Sequence, residues 1–252
     1  GETLSDLSRG TPGLPQRGNG VDVRLTGGSV GSIDDVALFA GGNVAAISDG
    51  SGLWEVLQFR DTNLLGEDTW RLQHLLRGQH GTDAVMQAVW PVGSTVVLLD
   101  AAMRQLPVPS SLRGITRRYR VGPATRAVDD PSFVELTHAA GATGLRPYAP
   151  VHLRAVSDGA GGYQTYWTRR SRINGDSWDM VEIPLGETFE AYRVRVWQGG
   201  VLRREDSVTA PFWVYSAAAM ASDAISGPFD IEIAQISDLY GPGSEARITI
   251  NA

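Results

Sequence analysis

Gly27-Gly28-Ser29-Val30-Gly31 sets a serine between glycines at the spacing of a nucleophile elbow, so Ser29 is the first residue that could attack an acyl carbon. An elbow needs a strand to deliver the serine and a helix to carry the chain away. A candidate strand precedes Ser29, but neither the short segment from Ile33 to Ala40 nor the rest of the chain supplies the helix and the alternating βα scaffold. The motif reads as a turn. His74, His80, His138 and His152 are dispersed and form none of the close pairs that a zinc site prefers. Carboxylates adjoin at Asp34-Asp35, Glu67-Asp68 and Asp129-Asp130. Adjacent residues on a strand face opposite ways, whereas glycoside hydrolysis needs two carboxyls aimed at one bond, so these pairs read as solvated turns. The stretch Asn174-Gly175-Asp176-Ser177-Trp178-Asp179 alternates oxygen donors but lacks the distal glutamate of a calcium loop, and reads as an Asx-type turn. Motifs that cradle phosphate are missing. The expectation is a protein that is not an enzyme, with no catalytic residue, metal ligand or cofactor.

Contact chemistry has better candidates. Arg169, Arg170 and Arg172 cluster in Thr168-Arg169-Arg170-Ser171-Arg172, close to Arg203-Arg204, and could either hold an anionic group or guard a strand edge with charge. Trp178 and Tyr240 fall in two segments that would emerge at the same end of a seven-stranded sandwich, where loop aromatics suit contact with carbohydrate or protein. The candidate contact set is therefore Trp178, Tyr240, Arg169, Arg170 and Arg172.

The elements that must carry these residues are strands. Thirty glycines and 13 prolines are scattered between short β-branched and aromatic runs, a pattern of many turns between many strands. At 252 residues the chain can bury a sizeable core without cross-links. Cysteine is absent, which removes disulfides, thiolate metal sites and a cysteine nucleophile. A formal charge of −6 without basic runs argues against nucleic acid, and every basic residue is an arginine. No apolar run approaches the roughly 20 residues of a membrane helix, and no signal peptide stands at the start, so a soluble chain without membrane insertion is expected. Its first residue is glycine, which suggests a segment of a longer protein.

Residues 1–20, rich in Gly, Pro, Ser and Arg, read as an extended arm or linker. Residues 21–143 read as a β-rich domain, barrel or sandwich-like. Within it, Asp35 to Ala40 and Asn43 to Ile47 form a hairpin around Gly41-Gly42, and Leu53 to Phe59 pairs with Trp70 to Thr82 across a polar turn from Asp61 to Asp68, with Trp54 and Trp70 as cross-strand packing residues. Periodicity disappears between Thr137 and Pro150, where the domain boundary is expected. Residues 144–252 then offer seven strands: Val151 to Val156, Tyr163 to Thr168, Phe189 to Trp197, Val201 to Val208, Phe212 to Tyr215, Phe229 to Ile236 and Glu245 to Ile250. Their number, with Trp167 and Tyr192 turned inward, resembles a fibronectin type III sandwich, except that Phe229 stands near the usual position of a corner tyrosine.

Several separated motifs occur in one order: Trp54-Glu55-Val56-Leu57-Gln58-Phe59, Leu75-Leu76-Arg77-Gly78-Gln79-His80-Gly81-Thr82, Gly93-Ser94, Val96 to Asp100, Trp167 to Ile173, Gly175-Asp176-Ser177-Trp178 and Glu190 to Val194. Together they resemble the C-terminal part of the host-specificity or baseplate hub proteins of siphophage-like tails and of alphaproteobacterial gene transfer agents. The resemblance implies a component of the virion tail tip, assembled in the bacterial cytoplasm, that meets other tail or baseplate proteins and a host envelope glycan or receptor. It further implies a homotrimer in the full-length assembly and, in some members, an upstream TIM-barrel domain. No catalytic residue transfers. A carbohydrate-binding accessory module of a cell-envelope-degrading protein is the second reading.

Overall fold

The computed structural model describes residues 1–18, 20–141, 143–173, 175 and 181–251. Among these residues the structure is all-β, with two short α-helices and three single turns of 3-10 helix. The first eight strands are Glu2–Thr3 (β1), Leu7–Ser8 (β2), Val21–Arg24 (β3), Val44–Ser48 (β4), Glu55–Gly66 (β5), Thr69–Gln79 (β6), Val89–Trp90 (β7) and Thr95–Leu98 (β8). Six of them close into a barrel in the order β1-β3-β6-β5-β4-β8, and β2 pairs with β7 separately. Alternation along β3 and β5 sends Val21, Val23, Leu57 and Phe59 into one buried cluster, which Leu72 and Leu75 of β6 and Val96 of β8 join. Each such side chain contributes about 1.5–3 kcal/mol on leaving water.

Four expectations are corrected here. Residues 1–20 are not a free arm: β1 closes the barrel between β3 and β8, Leu7 is buried opposite Trp90, and Gln16 bridges to Leu75. Strands of two residues carry no periodicity, which is why the segment reads as a linker. The polar stretch from Asp61 onward is not a turn but the outer half of β5. Its polar side chains pair across the ladder, as where the Asn63 amide donates to Gln73 Oε1 at 2.7 Å, and the turn itself is only Glu67-Asp68. Residues Asp35–Phe39 form a helix (α1) and not a hairpin arm, because Asp34 Oδ1 accepts from the Ala37 N–H at 2.7 Å as an N-cap. Trp54 precedes β5 and is 41% exposed, while Trp70 stands opposite Leu64 and Val23, so the two tryptophans do not pair.

At the open end of the β5–β6 hairpin, away from its turn, sits a charged pair with no solvent exposure. Arg77 holds Glu55 with two parallel bonds, Nε to Oε1 and Nη2 to Oε2, each 2.7 Å. Glu55 also accepts from Trp90 Nε1 at 2.6 Å and from the Gly78 N–H at 3.1 Å. Arg77 Nη1 donates to Ser8 O at 2.8 Å, fastening β2 to the barrel. Gly78 is required next to this pair: its φ is +62°, and a Cβ there would lie 2.7 Å from the Asp83 Cα.

The chain divides into two compact units, Gly1–Asp100 with Gly144–Ala252, and Ala101–Thr143. The sequence alone suggests one domain over 21–143. Barrel strands in fact run from residue 2 to 98, and 101–143 packs by itself around the antiparallel ribbon Thr116–Val121 (β9) and Val134–Ala139 (β10).

The remaining strands are Val151–Ser157 (β11), Tyr163–Thr168 (β12), Tyr192–Gln198 (β13), Val201–Val208 (β14), Phe212–Tyr215 (β15), Phe229–Ser237 (β16) and Gly241–Ile250 (β17). They form two sheets, β11-β12-β15 and β14-β13-β16-β17. First, second and fifth strands facing fourth, third, sixth and seventh is a fibronectin type III-like sandwich. On β13, Tyr192, Val194 and Val196 are buried while Arg193 and Arg195 face outward. Trp167 meets Tyr192 edge-on at 5.1 Å, and Phe229 meets both Tyr163 and Tyr215 edge-on at 5.9 Å. Phe229 cannot supply a hydroxyl tether, and Tyr215 supplies one instead. Its hydroxyl donates to Asp223 Oδ2 at 2.6 Å, at the end of a second helix, Ala217–Ser222 (α2), and Arg204 binds both oxygens of the same carboxylate.

Truncating Arg77 leaves Glu55 buried without its counter-charge. We expect Arg77→Ala to lower the barrel's unfolding free energy by about 3–5 kcal/mol in urea titration; a loss below about 1 kcal/mol would mean that the pair is not what holds β2 in place.

Candidate functional site

Ser29 lies in the loop between β3 and α1, exposed at the rim of a cavity of about 190 Å³ that Val30, Asn43, Phe59, Leu98 and Asp100 also line. No histidine lines that cavity. The five-residue α1 begins only at Asp35, so Ser29 does not stand at a strand-to-helix elbow. The adjoining carboxylates are used locally: Asp34 caps α1, Asp35 takes Arg60 at 2.9 Å, Glu67-Asp68 form the hairpin turn, and Asp130 accepts from Ser132. His74 bonds to Asp61, which Arg60 holds at 3.0 Å. The Arg60 hydrogen bond, with help from His74, keeps the Asp61 carboxyl below its ordinary range. This is a half-exposed cross-strand cluster on β5 and β6. Among the described residues no group of three or more His, Asp or Glu could hold a metal ion.

The arginine cluster is where the structure brings sequence candidates together, and it turns each of them inward. Arg169 donates to Ile183 O at 2.6 Å and Pro184 O at 3.2 Å, clamping the segment that leads into β13. Arg172 bonds to Glu187 and Leu145 O, with its guanidinium 5.5 Å from the Tyr240 ring centre. Arg170 reaches furthest. Its Nη1 binds Asp83 Oδ2 at 2.7 Å, joining the sandwich to the barrel across 87 positions of sequence, and its guanidinium stacks 4.8 Å from the Tyr148 ring centre. Tyr148 in turn lies over Gly81, where a Cβ would come within 3.0 Å of the ring. Pro147 O accepts from the Ser244 N–H at 3.1 Å on the sandwich side. Trp178 and the alternating donors Asn174, Asp176, Ser177 and Asp179 lie outside the described residues.

Arg203-Arg204 does not join this cluster, because Arg204 is committed to Asp223 and Asp206. What the sequence reading missed is the partner set: Asp83, Tyr148 and Glu187, together with Glu55 and Trp90 in the barrel. One signal was available. Glu55 is in phase with Leu57 and Phe59, which places a carboxylate on the inward face of a core strand, a position that demands a buried cation or donor.

The outward face of the four-stranded sheet is electrostatically closed on itself. Arg195–Glu205 and Arg247–Glu232 pair at 2.6 Å across neighbouring strands, and Arg193 reaches over β16 to Glu245 on β17, also at 2.6 Å.

A family model described as Rcc01698-like, C-terminal matches residues 1–97. That span takes in nearly the whole barrel, including Glu55, Arg77 and Trp90. None of the curated proteins matches. Among solved structures, the rat CD45 extracellular region, domains d3–d4, aligns at 10% identity over 61% of this chain and 72% of that one, with a TM-score of 0.32. The chicken CNTN1 FN1–FN3 domains align at 11% identity over 97% of this chain and 69% of that one, with a TM-score of 0.30. The sandwich assignment rests on the strand order of β11 to β17.

Asp83 is 7% exposed, its Oδ1 has no partner among the described residues, and its Oδ2 takes the Arg170 guanidinium at 2.7 Å. A double-mutant cycle with Arg170→Ala and Asp83→Asn is expected to return a coupling of about 0.5–3 kcal/mol; additive single effects would mean that the barrel and sandwich are not joined through this bond. A second expectation concerns acid. The Arg204 hydrogen bond, then that of Tyr215, hold the Asp223 carboxyl below its ordinary 3.8 against the opposing pull of burial. A depressed carboxylate stabilises the fold above its unfolded value, and that contribution is lost as pH falls through the lower folded one. Thermal denaturation across this range should therefore show stability falling below pH 3.8, and Asp223→Asn should flatten that limb.

Proposed function

We propose that this chain is a non-enzymatic structural and interaction component of a phage-like tail tip or baseplate, contributing to particle architecture and to engagement of the host cell envelope. The observation that carries the proposal is the brace between its two largest β-modules. Arg170 on Asp83 and Tyr148 over Gly81 couple barrel to sandwich through an ion pair and a ring contact, and Pro147 on Ser244 ties the segment that carries Tyr148 to the sandwich by a backbone bond. These contacts restrict, at the points where they form, the relative motion that tandem modules otherwise show. The same guanidiniums are spent on internal partners and are not gathered around a cleft.

The residues of the tail-hub resemblance support the reading because they coincide with this framework. Leu75 to Thr82 contains Arg77 of the buried pair, Gly78 beside it and Gly81 of the joint, and Trp167 to Ile173 contains Arg170, which binds Asp83 of the barrel, flanked by Arg169 and Arg172, which bind within residues 144–252. The family match over residues 1–97 covers the first of these segments. In this reading the partners are other tail or baseplate proteins and a host envelope glycan or receptor, in a homotrimer around the tail axis.

The test is assembly. Tails built without this segment should be incomplete or non-infective, and the isolated chain should dock onto tails that lack it. Complete, infective tails in its absence, with no docking of the isolated chain, would sink the proposal.

A further inference from the structure

Residues 101–143 pack around one two-stranded ribbon, and a lone ribbon is marginal in water unless something covers its apolar face. The register shows what that face carries. Val121 stands opposite Val134, Tyr119 opposite Leu136 and Arg117 opposite His138. Strand alternation sends these six to one side and Arg118, Arg120, Glu135 and Thr137 to the other. The segment through Leu106 and Val108 flanks the first side. With Tyr119, Val121, Leu136 and His138 it lines a cavity of about 400 Å³. These are not core side chains: Leu106 is 64% exposed, Val121 60% and Leu136 52%. Pro107 and Pro109 lack the N–H groups that would let this segment join the ribbon as a regular third strand. A contiguous exposed apolar surface of this kind marks a contact site.

Shape and charge select the occupant. Two strands about 4.8 Å apart, walled by the 106–108 segment, leave a trough roughly 10 Å across, the width of one α-helix. A strand added at the ribbon's edge would pair its backbone but leave the apolar face bare. A helix satisfies its own backbone and offers an apolar stripe to the trough. The chain as a whole carries a formal charge of −6, yet residues 101–143 hold six arginines against three carboxylates. One of those arginines, Arg117, lines the adjoining cavity of about 230 Å³ together with Leu106, Val108 and Tyr119. We propose that this trough docks an amphipathic helix of an acidic partner protein, its apolar stripe against Tyr119, Val121 and Leu136 and a carboxylate on Arg117.

The probe is a helical peptide of about 18 residues with leucine at i, i+3, i+4 and i+7 and glutamate elsewhere, titrated against the full chain by fluorescence anisotropy. Saturable binding is expected, at least about 10-fold tighter than for the same stripe carried on lysine. Leu136→Ser and Val121→Ser should each weaken it by about 10-fold or more, and Arg117→Ala should narrow the preference for glutamate over lysine. Thr137→Ala, on the opposite face, should leave binding unchanged. Because the substituted apolar residues are exposed, circular dichroism should report a native fold in each variant. Three results would overturn the proposal: no saturable binding of the acidic helix, equal binding of the lysine version, or tighter binding of a peptide alternating leucine and glutamate at strand spacing. A fourth is self-association in sedimentation equilibrium that Leu136→Ser abolishes, since the occupant would then be a second copy of this chain.

Discussion

Moving Glu55 and Arg77 out of water costs several kcal/mol per ion before any attraction is counted, so the barrel can hold them only where their hydrogen-bonding sites find partners. The surrounding architecture meets that condition. Two parallel bonds join the pair, Trp90 and the Gly78 N–H complete the carboxylate, and Ser8 O takes a remaining guanidinium donor. Those partners come from β2, β5, β6 and β7, which places four strands in fixed relation. Gly78 is a glycine because the backbone must turn against Asp83 beside the pair, and Asp83 is the residue to which the sandwich is fastened. The barrel's interior and its junction with the next module are thus set by one corner of the chain.

Strand count and class were legible because alternation is a local signal. Tyr192, Val194 and Val196 could be assigned to one face from their spacing alone, and the sandwich has all seven expected strands. Other features were illegible for physical reasons. Two-residue strands such as β1 and β2 have too few positions to show a period. The outer half of β5 extends past the core, its residues from Leu64 on are exposed, and the polar run Asp61-Thr62-Asn63 made it resemble a turn. Helix α1 is barely more than one turn long, and only the cap at Asp34 betrays it. The arginine cluster was visible as a cluster, but its use was not, since Asp83 lies 87 residues from Arg170 and no local pattern links them.

Arginine does a particular job in this chain. With no lysine available, its planar fork is used repeatedly to bind two acceptors at once: Glu55 by Arg77, Asp22 by Arg71, Asp223 by Arg204, and two backbone carbonyls by Arg169. The sheet face around Arg193, Arg195 and Arg247 is neutralised strand by strand. Basic charge in 101–143 is spent less fully: the Arg118 contact to Glu135 is long, at 4.0 Å, and both side chains are largely exposed. The two units therefore differ in how their arginines are employed as well as in net charge.

Closure of the barrel has a kinetic side. Gly1 and Val96 exchange backbone hydrogen bonds of 2.9 and 2.8 Å, so the last seam to form joins residues 95 positions apart. Contacts of such long sequence separation slow folding, because the entropy of closing the loop is lost before the ladder returns anything. During synthesis β1 leaves the ribosome well before β8 exists, and until then both β1 and β4 stand as open edges able to pair with a neighbouring chain. The pairing of β5 with β6, whose partners lie only 3 to 23 positions apart, gives the nascent barrel a hairpin on which to wait.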